Sequence, residues 1–147
     1  VHDLVIQKDE NHLLVGTHGR SIYLANIEKI QNLSSEIQNS SLYMYPLKDV
    51  KYSNSWGFKR SVWSESFEPN MEFTLFSSSM KDYELSIVDS DNKTLYTSQG
   101  KLDNGFNFIN FNLKSNENSV LDYLTKGSYK VLIMTDKDNL ENEFQIK

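Results

Sequence analysis

Apolar and polar positions alternate along residues 1–26 in three short runs. "HDLVIQ" places Leu4 and Ile6 on one face and Val5 on the other, "KDENH" supplies a polar turn, and "LLVGT" and "SIYLANI" follow as a second and third strand. Gly16 and Gly19 fall in the last reversal, where access to positive φ suits a tight turn. At Ile27 the period lengthens. Ile27, Ile30, Leu33 and Ile37 recur every three or four residues, which predicts a short amphipathic helix over 27–38, ended by "NSS" at 39–41.

Alternation then returns and holds over 42–147. "LYMYPL" reads as a strand ended by Pro46, and "VKYS" as a further short one. "MEFTLFSS" places Met71, Phe73 and Leu75 on one face, and "YELSIVD" does the same with Tyr83, Leu85 and Ile87. The turn "SDNK" leads into "TLYTS", "DNG" at 103–105 leads into "FNFINFNL", and "SYKVLIMTD" and "NEFQIK" complete the series. Turn signals every 8–12 residues between short strands predict a β-sandwich. "SNSWGFKRSVWSESFEPN" follows neither period, and "SNENSVLDYLTKG" has room for one helical turn. The expected organisation is an all-β chain: a three-stranded piece over 1–26, a linking helix within 27–40, and a sandwich of about seven strands over 41–147.

Composition narrows the function classes. Of 147 residues 38% are hydrophobic and 12% aromatic, enough for a packed core. Twenty acidic against 15 basic residues give a net charge of -5, and Lys59-Arg60 is the one adjacent basic pair, which argues against a nucleic-acid or anionic-membrane surface. No apolar run approaches the ~20 residues of a membrane helix, so no membrane insertion is expected. The absence of cysteine removes disulfides, thiolate chemistry and Cys-based zinc sites. The chain starts at Val1, without Met, directly in a strand-like run; it reads as part of a larger protein whose destination a missing signal peptide does not reveal.

Three groups of residues invite a chemical reading. "VGTHGRSIYLA" brings a hydroxyl, His18 and Arg20 together between glycines, but no acid, nucleophile or oxyanion site accompanies them. They are expected to form a hairpin corner. The carboxylates Asp9, Glu10, Asp89, Asp91, Asp136 and Asp138 sit in turns, and "DSDNKT" lacks the Gly and Glu of a calcium loop at its sixth and twelfth positions, so an Asx-built turn is expected there. No catalytic residue, metal or cofactor is expected. The sequons at Asn32, Asn39 and Asn92 carry little weight in so Asn- and Ser-rich a chain.

The aromatics are the strongest functional alternative. Tyr43, Tyr45, Tyr52, Trp56, Phe58, Trp63 and Phe67 fall within 25 residues. Large rings left in water forgo much burial, so most are expected in the interior, with Trp63 and its neighbours filling space between the first strands and the sandwich. If rings face solvent as a sugar platform, Trp56, Phe58, Trp63 and Tyr52 are the candidates, with Trp56 beside Gly57 the one expected to be exposed.

Two stretches resemble known families. Val1-His2-Asp3-Leu4 with Gly16-Thr17-His18-Gly19-Arg20-Ser21-Ile22-Tyr23 resembles the closing blade of large β-propellers with BNR-type repeats, the sortilin-like and glycosyl-hydrolase-like proteins; Ser21 stands where the pattern has glycine, and the Asp-box itself is absent. Gly105-Phe106-Asn107, Phe111-Asn112-Leu113, Gly127-Ser128-Tyr129-Lys130-Val131 and Phe144-Gln145-Ile146 are similar to immunoglobulin-like modules that follow such propellers.

The resemblance implies a propeller upstream of Val1 as partner, a secreted, periplasmic or cell-surface location, and a non-catalytic C-terminal accessory role. It also implies an orphaned blade whose open edges lead residues 1–26 either to pack on the sandwich or to form a homodimer. The alternatives are a carbohydrate-binding module, with a polysaccharide or protein ligand, and a glycoside hydrolase fragment whose catalytic acids lie upstream.

Overall fold

In the computed structural model, which describes residues 3–19, 21–116 and 122–147, the three alternating runs form strands β1 (Asp3–Gln7), β2 (His12–Gly16) and β3 (Ile22–Asn26). Arg20, the first two residues of the blade-like motif, and part of the segment with room for a helical turn (117–121) lie outside the described residues. The chain divides into two compact units, 1–39 and 40–147.

In the first unit the strands form an antiparallel meander, with Val5 opposite Leu14 and Leu14 opposite Leu24. Asn11 enters the left-handed region (φ 53°), which Asn tolerates, and its carbonyl accepts the Ile27 amide at 2.8 Å. The second reversal does not use glycine as expected. Neither Gly16 nor Gly19 has positive φ; the loop is closed instead by Thr17, whose amide (3.2 Å) and hydroxyl (3.0 Å) both donate to the Ser21 carbonyl.

The expected single helix is two one-turn helices, α1 (Glu28–Gln31) and α2 (Ser35–Asn39). Ser34 is the reason. Its hydroxyl accepts the Ile37 amide at 3.3 Å and its carbonyl accepts the Gln38 amide at 3.0 Å, so it caps a new helix where the old one would have continued.

Among the described residues the second unit holds seven strands in two antiparallel sheets: β4 (Leu42–Met44), β5 (Met71–Ser77) and β8 (Gly105–Phe111) in the order β4-β5-β8, and β6 (Lys81–Val88), β7 (Thr94–Leu102), β9 (Gly127–Met134) and β10 (Asn139–Ile146) in the order β10-β9-β6-β7. The chain is all-β, and this unit is a β-sandwich. Phe73, Leu75, Leu85, Ile87, Leu113, Val131 and Ile133 have no solvent exposure, and one buried cluster joins them to Phe111, Phe144 and Ile146. The alternation within β5 and β6 thus points the expected faces inward.

Turn chemistry decides where the chain changes sheet. Asp89 Oδ1 accepts the amides of Asp91 and Lys93, both at 2.9 Å, and closes the β6–β7 hairpin as an Asx turn. "DNG" carries the chain from one sheet to the other: Gly105 has φ 101°, a conformation side chains resist, and Asn107 fixes the corner by accepting the Asp103 amide (2.8 Å) and donating to its carbonyl (2.9 Å). The edge of β7 is covered by Asn116, which accepts the Thr97 amide at 3.0 Å and donates to its carbonyl at 2.6 Å, a plug that deters a foreign strand there. The "VKYS" run makes a single parallel bridge, Val50 to Ile146, rather than a strand.

Candidate binding loop

Residues 50–70 form most of the connection from β4 to β5, and their base is fastened to the sandwich. The Val50 amide donates to the Gln145 carbonyl and the Tyr52 amide to the Lys147 carbonyl, each at 2.8 Å. Trp56 then packs edge-on against Tyr52, centroids 5.0 Å apart, and lies 5.8 Å from Tyr123. Gly57 follows with φ 76°; a Cβ at this position would stand 3.1 Å from the Tyr123 hydroxyl oxygen, so the close approach of the loop to this ring requires glycine. Beyond it the loop doubles back as a narrow ribbon. The Gly57 amide donates to the Phe67 carbonyl (2.8 Å) and the Phe67 amide to the Phe58 carbonyl (2.9 Å). The tip is a tight turn, with the Ser64 amide and hydroxyl donating to the Ser61 carbonyl and the Ser61 amide donating to the Ser64 hydroxyl oxygen.

Glu68 closes the loop. Its carboxylate accepts hydrogen bonds from the Tyr123 hydroxyl (2.6 Å), the Ser66 hydroxyl (2.7 Å) and the Lys114 ammonium (2.9 Å), and Lys114 also lies 4.8 Å from the Tyr123 ring centroid. These partners, the Tyr123 hydroxyl foremost, lower the Glu68 pKa from 4.5 to about 2. A depressed carboxyl pKa means that the contribution of Glu68 is complete above pH 4.5 and is lost as pH falls through about 2. We expect the loop to loosen across that window, seen as a change in indole fluorescence that precedes loss of far-ultraviolet circular dichroism. In Glu68→Gln the fluorescence step should disappear, leaving only the global acid transition.

The four candidate ring residues separate into two pairs. Tyr52 and Trp56 are half-buried and pack against the core cluster, with Lys126 Nζ 5.7 Å from the Tyr52 ring centroid. Phe58 (63% exposed) and Trp63 (95% exposed) face solvent, as do Val62 and Phe67. The expected roles of the tryptophans are therefore exchanged. Trp56 is drawn inward because Gly57 turns the chain beneath Tyr123, whereas Trp63 sits in the exposed Ser61–Ser64 turn.

An open cleft of about 580 Å³ lies in the ribbon, lined by Phe58, Phe67, Arg60, Glu65 and the serines at 53, 55, 64 and 66. Neither Arg60 nor Glu65 is in an ion pair among the described residues. Sequence reasoning passed over both, since a charge in an unassigned segment carries no sign of what it will line; the Phe58-to-Phe67 spacing around a serine-rich turn was the available signal.

The other candidates do not assemble a reaction centre. His18 lies on an exposed loop of the first unit, in a stretch whose Arg20 is outside the described residues. Asp89 is committed to its turn. Ser41 and Lys81 come close to a nucleophile–base pair, Nζ to Oγ 2.8 Å, but Lys81 also donates to the Asp138 carboxylate at 2.8 Å and the Ser41 carbonyl at 3.1 Å. The cluster is a clamp tying the start of β4 to β6 and the β9–β10 turn. Among the described residues, no group of three His, Asp or Glu side chains is placed to hold a metal ion, and no helix is long and apolar enough to cross a membrane.

No protein-family model matches the chain, and no curated protein is significantly similar to it.

Proposed function

We propose that the chain is a non-catalytic accessory region, in which the first unit is one layer of a larger stack of β-sheets and the second is a sandwich that presents the 53–67 loop. The carrying observation is the composition of the β1–β3 sheet. By strand register, one face consists of Leu4, Ile6, Leu13, Val15, Tyr23 and Ala25, and the other has Val5, Leu14 and Leu24 across its centre, Ile22 with Asp3 at one end, and Gln7, His12 and Asn26 at the other. None of these is buried, and Leu4, Ile22, Tyr23 and Leu24 are each more than half exposed.

Burying one such side chain fully contributes roughly 1.5–3 kcal/mol, so a sheet apolar on both faces forgoes a large stabilisation unless both faces are covered. A sheet made for one layer on one side would alternate apolar with polar. The fitting occupants are two further apolar sheets, packed ~10 Å above and below. The blades of a propeller supply that environment, and this supports the resemblance of the Gly16–Tyr23 segment to a closing blade. The propeller upstream is then the partner, and the immunoglobulin-like character of the sandwich and a secreted, periplasmic or cell-surface location belong to the same proposal.

The test uses the whole chain. With its sheet faces uncovered it should self-associate at millimolar concentration in sedimentation equilibrium. Leu4→Lys combined with Leu24→Lys, one charge on each face, should return it to monomer while leaving the urea midpoint of tryptophan fluorescence unchanged. A wild-type chain that stays monomeric would overturn the proposal.

A further inference from the structure

We infer that the 53–67 cleft is a binding site for an uncharged saccharide. The lining carries the three kinds of group that such a ligand needs. Phe58 and Phe67 are 63% and 56% exposed and line the cleft, which gives it aromatic surface of the kind that meets the C–H side of a pyranose. Arg60 and Glu65, outside any ion pair among the described residues, supply donors and acceptors for hydroxyls, and the Ser53 and Ser55 hydroxyls can donate as well, while Ser64 and Ser66 spend their protons on the Ser61 carbonyl and Glu68. One cation and one anion leave the lining with no net charge, which selects against phosphorylated, acidic or cationic ligands.

Size and rigidity agree with this. About 580 Å³ lies within the range of small-ligand clefts, and the open form suits internal residues of a chain rather than an enclosed molecule. The cleft is held before any ligand arrives. Two backbone hydrogen bonds set the ribbon, Tyr52, Trp56 and Tyr123 support its base, and Glu68 locks its return strand. A prepared site of this kind loses less entropy on binding. Trp63, in the turn between the lining residues, is 95% exposed and adds a further aromatic ring to this surface.

This goes beyond the accessory role and is read at different residues, so either can fail alone. The experiment is a titration of the ¹⁵N-labelled chain with cellohexaose, laminarihexaose, xylohexaose and mannohexaose, followed by amide shifts. At least one should shift amides confined to 53–67, with millimolar to micromolar affinity. Phe58→Ala and Arg60→Ala should each weaken binding about tenfold while the β5–β10 amides keep their positions, which shows that the sandwich remains folded. The inference is overturned if none of the four hexasaccharides moves the loop, or if the shifts map elsewhere. It is equally overturned if phosphatidylcholine–phosphatidylglycerol vesicles, rather than sugars, engage Val62 and Trp63.

Discussion

Phe73→Ala should lower the unfolding free energy of the sandwich by about 3–5 kcal/mol, the range for removing a fully buried phenyl group. Phe73 has no solvent exposure and stacks on Phe111 at 6.0 Å, and Phe111 in turn lies 4.7 Å from Tyr96 on the other sheet. The ring is therefore part of the contact between layers. Its neighbours sit on hydrogen-bonded strands on both sides of β5, so the cavity can close only partly. A domain of this size has a stability of roughly 5–15 kcal/mol, so the loss could be half of the total. Urea unfolding monitored by tryptophan fluorescence should show a lower midpoint with an unchanged slope. A loss below 1 kcal/mol would mean that the layers do not meet at this ring.

Lys81→Met should cost about 2–3 kcal/mol, placed below the figure for a fully buried pair because water reaches part of the site. The Lys81 side chain is 9% exposed and Asp138 19%, and the substitution leaves the carboxylate with hydroxyl partners alone, Ser41 at 3.0 Å and Thr135 at 3.3 Å. The pH dependence identifies the cause. Lys81, followed by Ser41 and Thr135, holds the Asp138 carboxyl below its ordinary 3.8. Its contribution is therefore complete above that pH and is lost as pH falls below it. The difference between wild type and Lys81→Met should be constant at neutral pH and shrink on acidification below 3.8. A difference that does not change with pH would assign the cost to lost packing of the lysine stem instead.

The β-strands were legible because their causes are local. Phe73 and Leu75 lie two apart, and so do Leu85 and Ile87; the period of an extended chain then places each pair on one face. Asp89 and Asn107 build their turns within four residues. The apolar spacing over 27–38 predicts one helix, but Ser34 caps a second one within it, an equally local cause that hydrophobic period does not register. In the 50–70 loop Trp56, expected to be exposed, is half-buried and Trp63 is exposed. Trp56 is held by Tyr52 nearby and by Tyr123, which lies far along the chain and so is not legible from the local sequence. The Lys81–Asp138 clamp left no trace at all, since its members are 57 residues apart in turn-like contexts.

By itself, then, the sequence determined the all-β character, the positions of most strands and the division of Leu4 and Ile6 from Val5 in β1, because side-chain alternation and turn chemistry act over a few residues. The tertiary structure alone decided which strands share a sheet, which tryptophan is covered, and that Arg60 and Glu65 line one cleft with Phe58 and Phe67. Those outcomes depend on which distant groups reach a given side chain, and burial and hydrogen bonding are settled only when they do.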